Sequence, residues 1–124
     1  MAVAKRKIGS LEVHPVGLGC MSLSSAYGPA QEHDDAIALL RRALEIGYDF
    51  FDTATIYGMG GNEKLIGEAL RERRNDFVLA SKCVLGFKDG KRLLDASPNA
   101  IKRACDASLE RLQTDVIDLY YLHR

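Results

Sequence analysis

Four residues of types that bind and move protons stand at comparable places in this sequence: Asp52, Tyr57, Lys82 and His123. Asp52 closes the aromatic run Tyr48-Asp-Phe-Phe-Asp52, and Lys82 closes Phe77-Val-Leu-Ala-Ser-Lys82. His123 closes Val116-Ile-Asp-Leu-Tyr-Tyr-Leu-His123, and Tyr57 opens the glycine-rich turn Tyr57-Gly-Met-Gly-Gly61 just beyond Asp52. Taken singly, each has a structural use: a strand-end aspartate caps, a tyrosine in such a turn packs, a strand-end lysine or histidine sits as a satisfied rim group. Three of them at successive strand ends, with the phenol in the loop above, favour a shared function. The set suits proton donation to a carbonyl oxygen. A free phenol titrates near about 10, and an ammonium beside it favours the phenolate form. Asp52 would pair with Lys82, keeping it charged and aimed, while His123 would hydrogen-bond the carbonyl. Acid–base assistance of this kind accelerates a reaction by about 10²–10⁴-fold. It cannot supply a hydride, so a cofactor is required.

The elements that must position these groups follow in regular order. Lys5 to Val13 reads as a hairpin turning at Gly9-Ser10. Val16-Gly-Leu-Gly-Cys-Met21 reads as a short strand, in which the glycines serve either a tight bend or the close approach of a ligand. A helix follows, with Ala36, Ile37, Leu40, Ala43 and Leu44 on one face, Asp34 and Asp35 at its positive end, and Gly47 ending it. Strand Tyr48–Asp52 comes next, then a second helix that Asn62 would cap, with Glu63 in its first turn and Leu65, Ile66, Ala69 and Leu70 inward. The cluster Arg71, Arg73, Arg74 reads as the solvated end of that helix. Strand Phe77–Lys82 leads into a loop through Gly86 and Gly90. Ser97-Pro98 then starts a third helix with the stripe Ile101, Cys105, Ser108, Leu109 and Leu112. Val116–His123 is the fourth strand.

Strands alternating with helices imply a parallel sheet joined by right-handed crossovers. Laid down in sequence order, the strands would place every helix on one face and leave the other bare. Roughly eight inward side chains left wet would forfeit ~10–20 kcal/mol of burial, as much as the ~5–15 kcal/mol net stability of a whole domain. Two solutions remain open. Either the strand order is permuted, as in a flavodoxin-like doubly wound sheet, or the chain is part of a (β/α)8 barrel, whose full length is about 250 residues. In both, Asp52, Lys82 and His123 converge at the C-terminal edge of the sheet, where active sites of such folds lie.

Composition narrows the function classes. The 124 residues carry 17 basic and 17 acidic side chains and are 47% hydrophobic. That suits one globular domain with no electrostatic call for nucleic acid or an anionic membrane. Cys20, Cys83 and Cys105 are odd in number and form no CxxC pair, which argues against disulfides and a metal site and for a reducing cytoplasm. Lys5-Arg-Lys7 has no apolar run behind it, so no secretory signal is expected, and no stretch has the length of a membrane span.

At these residues the chain resembles the N-terminal part of the aldo-keto reductases, NAD(P)H-dependent (β/α)8 TIM-barrel oxidoreductases. The shared segments are Val16-Gly-Leu-Gly, Phe51-Asp-Thr-Ala-Thr-Ile-Tyr-Gly, Asn62-Glu with Ile66-Gly-Glu-Ala-Leu, Ala80-Ser-Lys and Asp118-Leu-Tyr-Tyr-Leu-His-Arg. The loop Leu23–Gly28 and the Asp118–Arg124 segment are most similar to bacterial and plant members acting on small aldehydes and ketones. The resemblance implies that Tyr57 is the proton donor, that Lys82 and Asp52 tune it, and that His123 orients the substrate. It also implies that Gly19, Cys20 and Met21, with Asp52, lie near the nicotinamide and its ribose. The implied cofactor is NADPH, with NADH the other candidate, and the implied partner is a small carbonyl compound.

Members of that family continue for several more strands, which carry most of the cofactor site, including the groups that hold the adenine-side phosphate. The 124 residues are therefore expected to be the N-terminal hairpin and about four β/α units of one barrel domain, cut after the fourth strand, and to bind NADPH weakly or not at all. Gly58-Met-Gly-Gly61 lacks the spacing of a dinucleotide fingerprint. Cys83 stands where the family often has an aromatic, either as a reactive thiol beside Lys82 or as a buried inert one. Two other functions are compatible with the sequence. One is a half-barrel that assembles with itself or another chain through its open strand edges. The other is a redox-sensing subunit of the potassium-channel type.

Overall fold

A parallel four-stranded sheet with its helices on one side organises residues 3–124, which the computed structural model describes. Ahead of it, β1 (Arg6–Ile8) and β2 (Leu11–Val13) form the expected antiparallel hairpin, with Gly9 at φ 60 in the turn. The sheet strands are β3 (Leu18–Gly19), β4 (Phe50–Asp52), β5 (Val78–Cys83) and, last in the chain, β8 (Leu119–Leu122). They lie side by side in the order β3-β4-β5-β8, all parallel. The doubly wound alternative needs a permuted order and does not hold. The order is that of consecutive units of a (β/α)8 barrel.

Helix α1 (His33–Glu45) buries Ala36, Ile37, Leu40, Ala43 and Leu44, the stripe its periodicity dictates. Helix α2 (Gly61–Leu70) buries Ile66, Ala69 and Leu70, and α3 (Pro98–Leu112) buries Leu112. These close over Phe51 and Leu79, which point from β4 and β5 toward the helices, and Phe51 meets Phe77 edge-to-face at 5.2 Å between ring centres. Alternation along a strand turns Asp52 and Lys82, one residue on from Phe51 and Ser81, toward the opposite face. Ser97 caps α3 by accepting the Ala100 N–H at 3.3 Å, with Pro98 at the first helical position.

Helices α2 and α3 touch backbone to backbone. A Cβ on Gly67 would stand 2.7 Å from the carbonyl oxygens of both Arg111 and Leu112. Only glycine permits that approach.

Three local readings are corrected. The segment after β5 is a hairpin rather than a loop: β6 (Leu85–Lys88) pairs with β7 (Lys91–Leu94) around Asp89-Gly90, both at positive φ. Its apolar residues are mostly exposed, so burial does not impose the alternation by which a strand is recognised. The chain leaves β5 sharply through Val84 at φ 83, and the Asp95 N–H closes the hairpin base on the Val84 carbonyl at 3.1 Å. Next, Asn62 does not cap α2. Gly60, at φ 91, precedes the helix and the Asn62 side chain turns inward. Finally, Arg74 is no solvated helix end. It donates to Asp118 at 2.6 Å and to the Val116 and Phe77 carbonyls at 2.7 and 3.0 Å, stapling β5 to β8. Arg73 does stay on the surface, paired with Asp76.

Candidate active site

The C-terminal rim of the sheet is assembled by main-chain pairing that runs past the strands themselves. The Thr53 N–H donates to the Ala80 carbonyl at 2.9 Å, and the Thr55 N–H donates to the Lys82 carbonyl at 3.1 Å. The chain beyond β4 is thereby drawn over β5, so the turn Tyr57–Gly60 lands above Lys82. Gly58 and Met59 take left-handed conformations there (φ 56 and 53). A Cβ on Gly58 would press to 2.9 Å from the Ser24 Cβ, which ties the turn closely to the loop after β3.

Lys82 is the hub. Its Nζ donates to Asp52 Oδ2 at 2.7 Å, to the Thr53 carbonyl at 2.9 Å and to the Tyr57 hydroxyl oxygen at 3.2 Å. An ammonium has three protons, and here each has an acceptor. Because Tyr57 accepts from Lys82, its own O–H is left to donate elsewhere. The Lys82 side chain is 15% exposed and that of Asp52 34%, so the ammonium is mostly covered while its carboxylate partner keeps one side to solvent.

His123 lies across the rim. Its main-chain N–H donates to the Cys83 carbonyl at 3.0 Å, extending the pairing of β8 with β5. Its ring meets the Tyr57 ring edge-on, with centres 5.9 Å apart. Burial, and then the positive charges of Lys82 and Arg124, hold the imidazole below its ordinary pKa. The neutral ring, with one N–H to give, is thus the favoured form.

The expected cofactor-side residues divide. Gly19 is opposite Asp52 in the register of β3 with β4, and the space its absent Cβ would fill is open. Met21 is half-exposed in the following turn. Cys20 does not present its side chain at the rim, because its place in the turn points the thiol into the core. The thiol is fully buried, donates to the Leu18 carbonyl at 3.6 Å, and is pushed up to about 12 by burial and then by the nearby Asp52 charge. Cys83 is likewise buried, its thiol 3.5 Å from the Tyr121 carbonyl oxygen, which leaves the inert reading rather than the reactive one.

Sequence reasoning missed a second set of residues directly behind the rim: Thr53, Asn62, Glu63 and Ser81, all fully buried. Thr53 Oγ1 donates to Asn62 Oδ1 at 2.6 Å, and Ser81 Oγ donates to Glu63 Oε1 at 2.6 Å. One signal was available: Thr53, just beyond β4, and Ser81, in β5, are hydroxyl residues that continue the helix-facing alternation of Phe51 and Leu79. Among the described residues, no group of three or more His, Cys, Asp or Glu side chains could hold a metal ion. Among the same residues, no helix is long and apolar enough to cross a membrane.

Comparison with known proteins gives one consistent result. The model of the aldo/keto reductase family matches residues 15–124. The oxidoreductase YqkF of Bacillus subtilis is 43% identical over 123 residues, covering 96% of this chain and 38% of that protein. The Schizosaccharomyces pombe aldo-keto reductase yakc [NADP(+)] is 40% identical, covering 100% of this chain and 37% of that protein. The solved holo form of aldo-keto reductase AKR11C1 from Bacillus halodurans superposes with a TM-score of 0.86 at 41% identity. It is matched over 98% of this chain and 40% of its own length. The chain thus spans about two fifths of the proteins it matches, and the four-stranded sheet is the corresponding part of a TIM barrel. With that match running through every strand of the sheet and all three helices, the chain belongs to the aldo/keto reductase family.

Proposed function

We propose that these residues form the proton-transfer side of an oxidoreductase that reduces small aldehydes and ketones to alcohols, with Tyr57 as the proton donor. The observation that carries this reading is the contact between Lys82 Nζ and the Tyr57 oxygen, with Asp52 holding the ammonium from the other side. A bound reduced nicotinamide cofactor supplies the hydride. NADPH is favoured because the relative yakc is named for NADP(+), with NADH the other candidate. Gly19 and Met21, beside Asp52, would hold its nicotinamide end. The missing Cβ of Gly19 leaves a flat ring room to lie against the backbone.

The chain's own residues account for the proton. His123, favoured in its neutral form, donates its N–H to the carbonyl oxygen and orients the substrate. As the carbonyl carbon gains the hydride, its oxygen becomes an alkoxide and takes the Tyr57 proton. The phenolate left behind faces the Lys82 ammonium, which stabilises the charge as it forms. Asp52 keeps that ammonium aimed, and a solvent proton restores the phenol.

Since the chain spans about two fifths of its relatives, groups that grip the rest of the cofactor are assigned to the remainder of the barrel. The 124 residues alone should bind NADPH weakly or not at all. A cytoplasmic location is proposed with this reading.

The test joins residues 1–124 to the remaining part of YqkF, making a continuous barrel, and follows NADPH oxidation with short aldehydes. Tyr57→Phe should lower turnover by about 10²-fold or more. A Tyr57→Phe barrel that keeps a rate close to the parent's would overturn the assignment.

A further inference from the structure

The first turn of α2 carries two consecutive polar residues, Asn62 and Glu63, that are both fully buried. Neighbours on a helix point about 100° apart, so the two reach different strands. Asn62 accepts from Thr53, the residue just beyond β4, and its Nδ2 donates to the Cys20 carbonyl and to Ser24 Oγ, both at 2.8 Å. Glu63 accepts from Ser81 of β5 through one oxygen and from Arg111 Nε of α3, at 2.6 Å, through the other.

Thr53 directly follows Asp52, and Ser81 directly precedes Lys82. Because successive strand residues face opposite ways, a hydroxyl pinned on the helix side fixes the angle at which its neighbour leaves the rim side. The same helix end continues from the turn that carries Tyr57. One helix terminus therefore sets the placement of Asp52, Lys82 and Tyr57 together, and through Cys20 and Ser24 it also holds the loop after Gly19.

Stability alone gives a poor account of these residues. A buried ion pair can often be replaced by apolar groups of similar volume at no loss, and the surrounding core is apolar. What apolar packing would not supply is a fixed hydrogen-bonded angle at two specific positions, one in β5 and one just beyond β4.

We propose that Asn62 and Glu63 are positioning residues that hold Asp52, Lys82 and Tyr57 in register for proton transfer, acting through the Thr53 and Ser81 hydroxyls. The proposal rests on the proton-transfer reading above, so its test separates the two. Thr53→Val and Ser81→Ala remove the braces with little change of volume and are made in the continuous barrel beside Asn62→Ala and Tyr57→Phe. Thr53→Val and Ser81→Ala should lower kcat by about 10–100-fold while KM for the aldehyde stays within about threefold of the parent. Thr53→Ser, which keeps the hydroxyl, should restore kcat. Asn62→Ala should in addition weaken NADPH binding, because it frees the loop after Gly19.

A second readout needs no turnover. In the 124-residue chain labelled with ¹³C at the tyrosine ring, the Tyr57 signal is assigned by its loss in Tyr57→Phe. It should move in Thr53→Val and Ser81→Ala, while the Tyr27 and Tyr48 signals stay. If Tyr57→Phe abolishes turnover but Thr53→Val and Ser81→Ala keep kcat within about twofold, the positioning role is overturned and the proton-donor reading stands. If Tyr57→Phe retains turnover, the proton-donor reading falls. The tyrosine signal then decides the geometric claim: movement supports the brace, and no movement overturns it.

Discussion

The Lys82 ammonium donates to the Tyr57 oxygen at 3.2 Å while being held by Asp52 at 2.7 Å, so the phenol keeps its own proton free. Lys82→Met removes the donor and leaves the phenol with no charge to stabilise its conjugate base. Turnover in the continuous barrel should fall by about 10²–10⁴-fold. Asp52→Asn should also lower it, by freeing the ammonium to swing. Steady-state NADPH oxidation measures both, and a Lys82→Met barrel at near-parental rate would count against the role.

Two histidines should titrate in opposite directions. Burial, with the charges of Lys82 and Arg124, lowers His123. Hydrogen bonds to Asp34 and Glu68 raise the exposed His33. Proton NMR, assigned with His33→Asn and His123→Asn, should place them on either side of the ordinary value of about 6.5. The sign for stability follows from linkage. Below about 6.5 the unfolded chain protonates His123 more readily than the folded chain, so stability falls with pH through that window. The loss is complete once pH is below the folded value, and His123→Asn should remove this part of the dependence.

Gly67 and Gly61 lie on the same helix but should respond oppositely to alanine. A Cβ at Gly67 runs into two main-chain carbonyls of α3 at 2.7 Å, and neither helix can yield without opening the interface. Gly67→Ala should destabilise by ~1–3 kcal/mol or more. Gly61 meets nothing within 4 Å and already has helical φ and ψ. Gly61→Ala should be neutral or stabilise by up to ~1 kcal/mol, the propensity difference. Urea midpoints of the two variants distinguish the cases.

Asp49 anchors the N-terminal hairpin from the opposite end of the sheet. It accepts from the His14 N–H at 2.8 Å and pairs with Lys5 at 2.9 Å. Burial alone would raise its pKa, but hydrogen bonds from His14 and Lys5 outweigh that and hold it below the ordinary carboxylate value. Its contribution is present above the unfolded value of about 3.9 and is lost as pH falls through the lower folded one. In Asp49→Asn the acid limb of the stability curve should flatten, and amide exchange in residues 6–13 should quicken already at neutral pH.

The parts of this protein legible in its sequence are those governed by short-range period. The α1 stripe Ala36, Ile37, Leu40, Ala43 and Leu44 is buried as its spacing requires. The groups Asp52, Lys82 and His123 meet at one rim because parallel strands put all their C-terminal ends on the same side. Neither inference needs to know which strand neighbours which.

Strand order, by contrast, is not written in local pattern, since consecutive and permuted sheets share the same alternation; the family resemblance implied the barrel order, and the sheet has it. The same holds for Asn62. A cap and an inward brace have identical local sequence, and the difference lies in Thr53, Cys20 and Ser24, brought to it across the fold. Cys20 belongs beside it: the resemblance implied only that it lies near the nicotinamide, and the fold decides that its thiol is buried in the core. By itself the sequence determined which groups reach the rim, because backbone periodicity is local. The tertiary structure decided what holds them there, because a buried hydrogen bond is defined by partners distant in the chain.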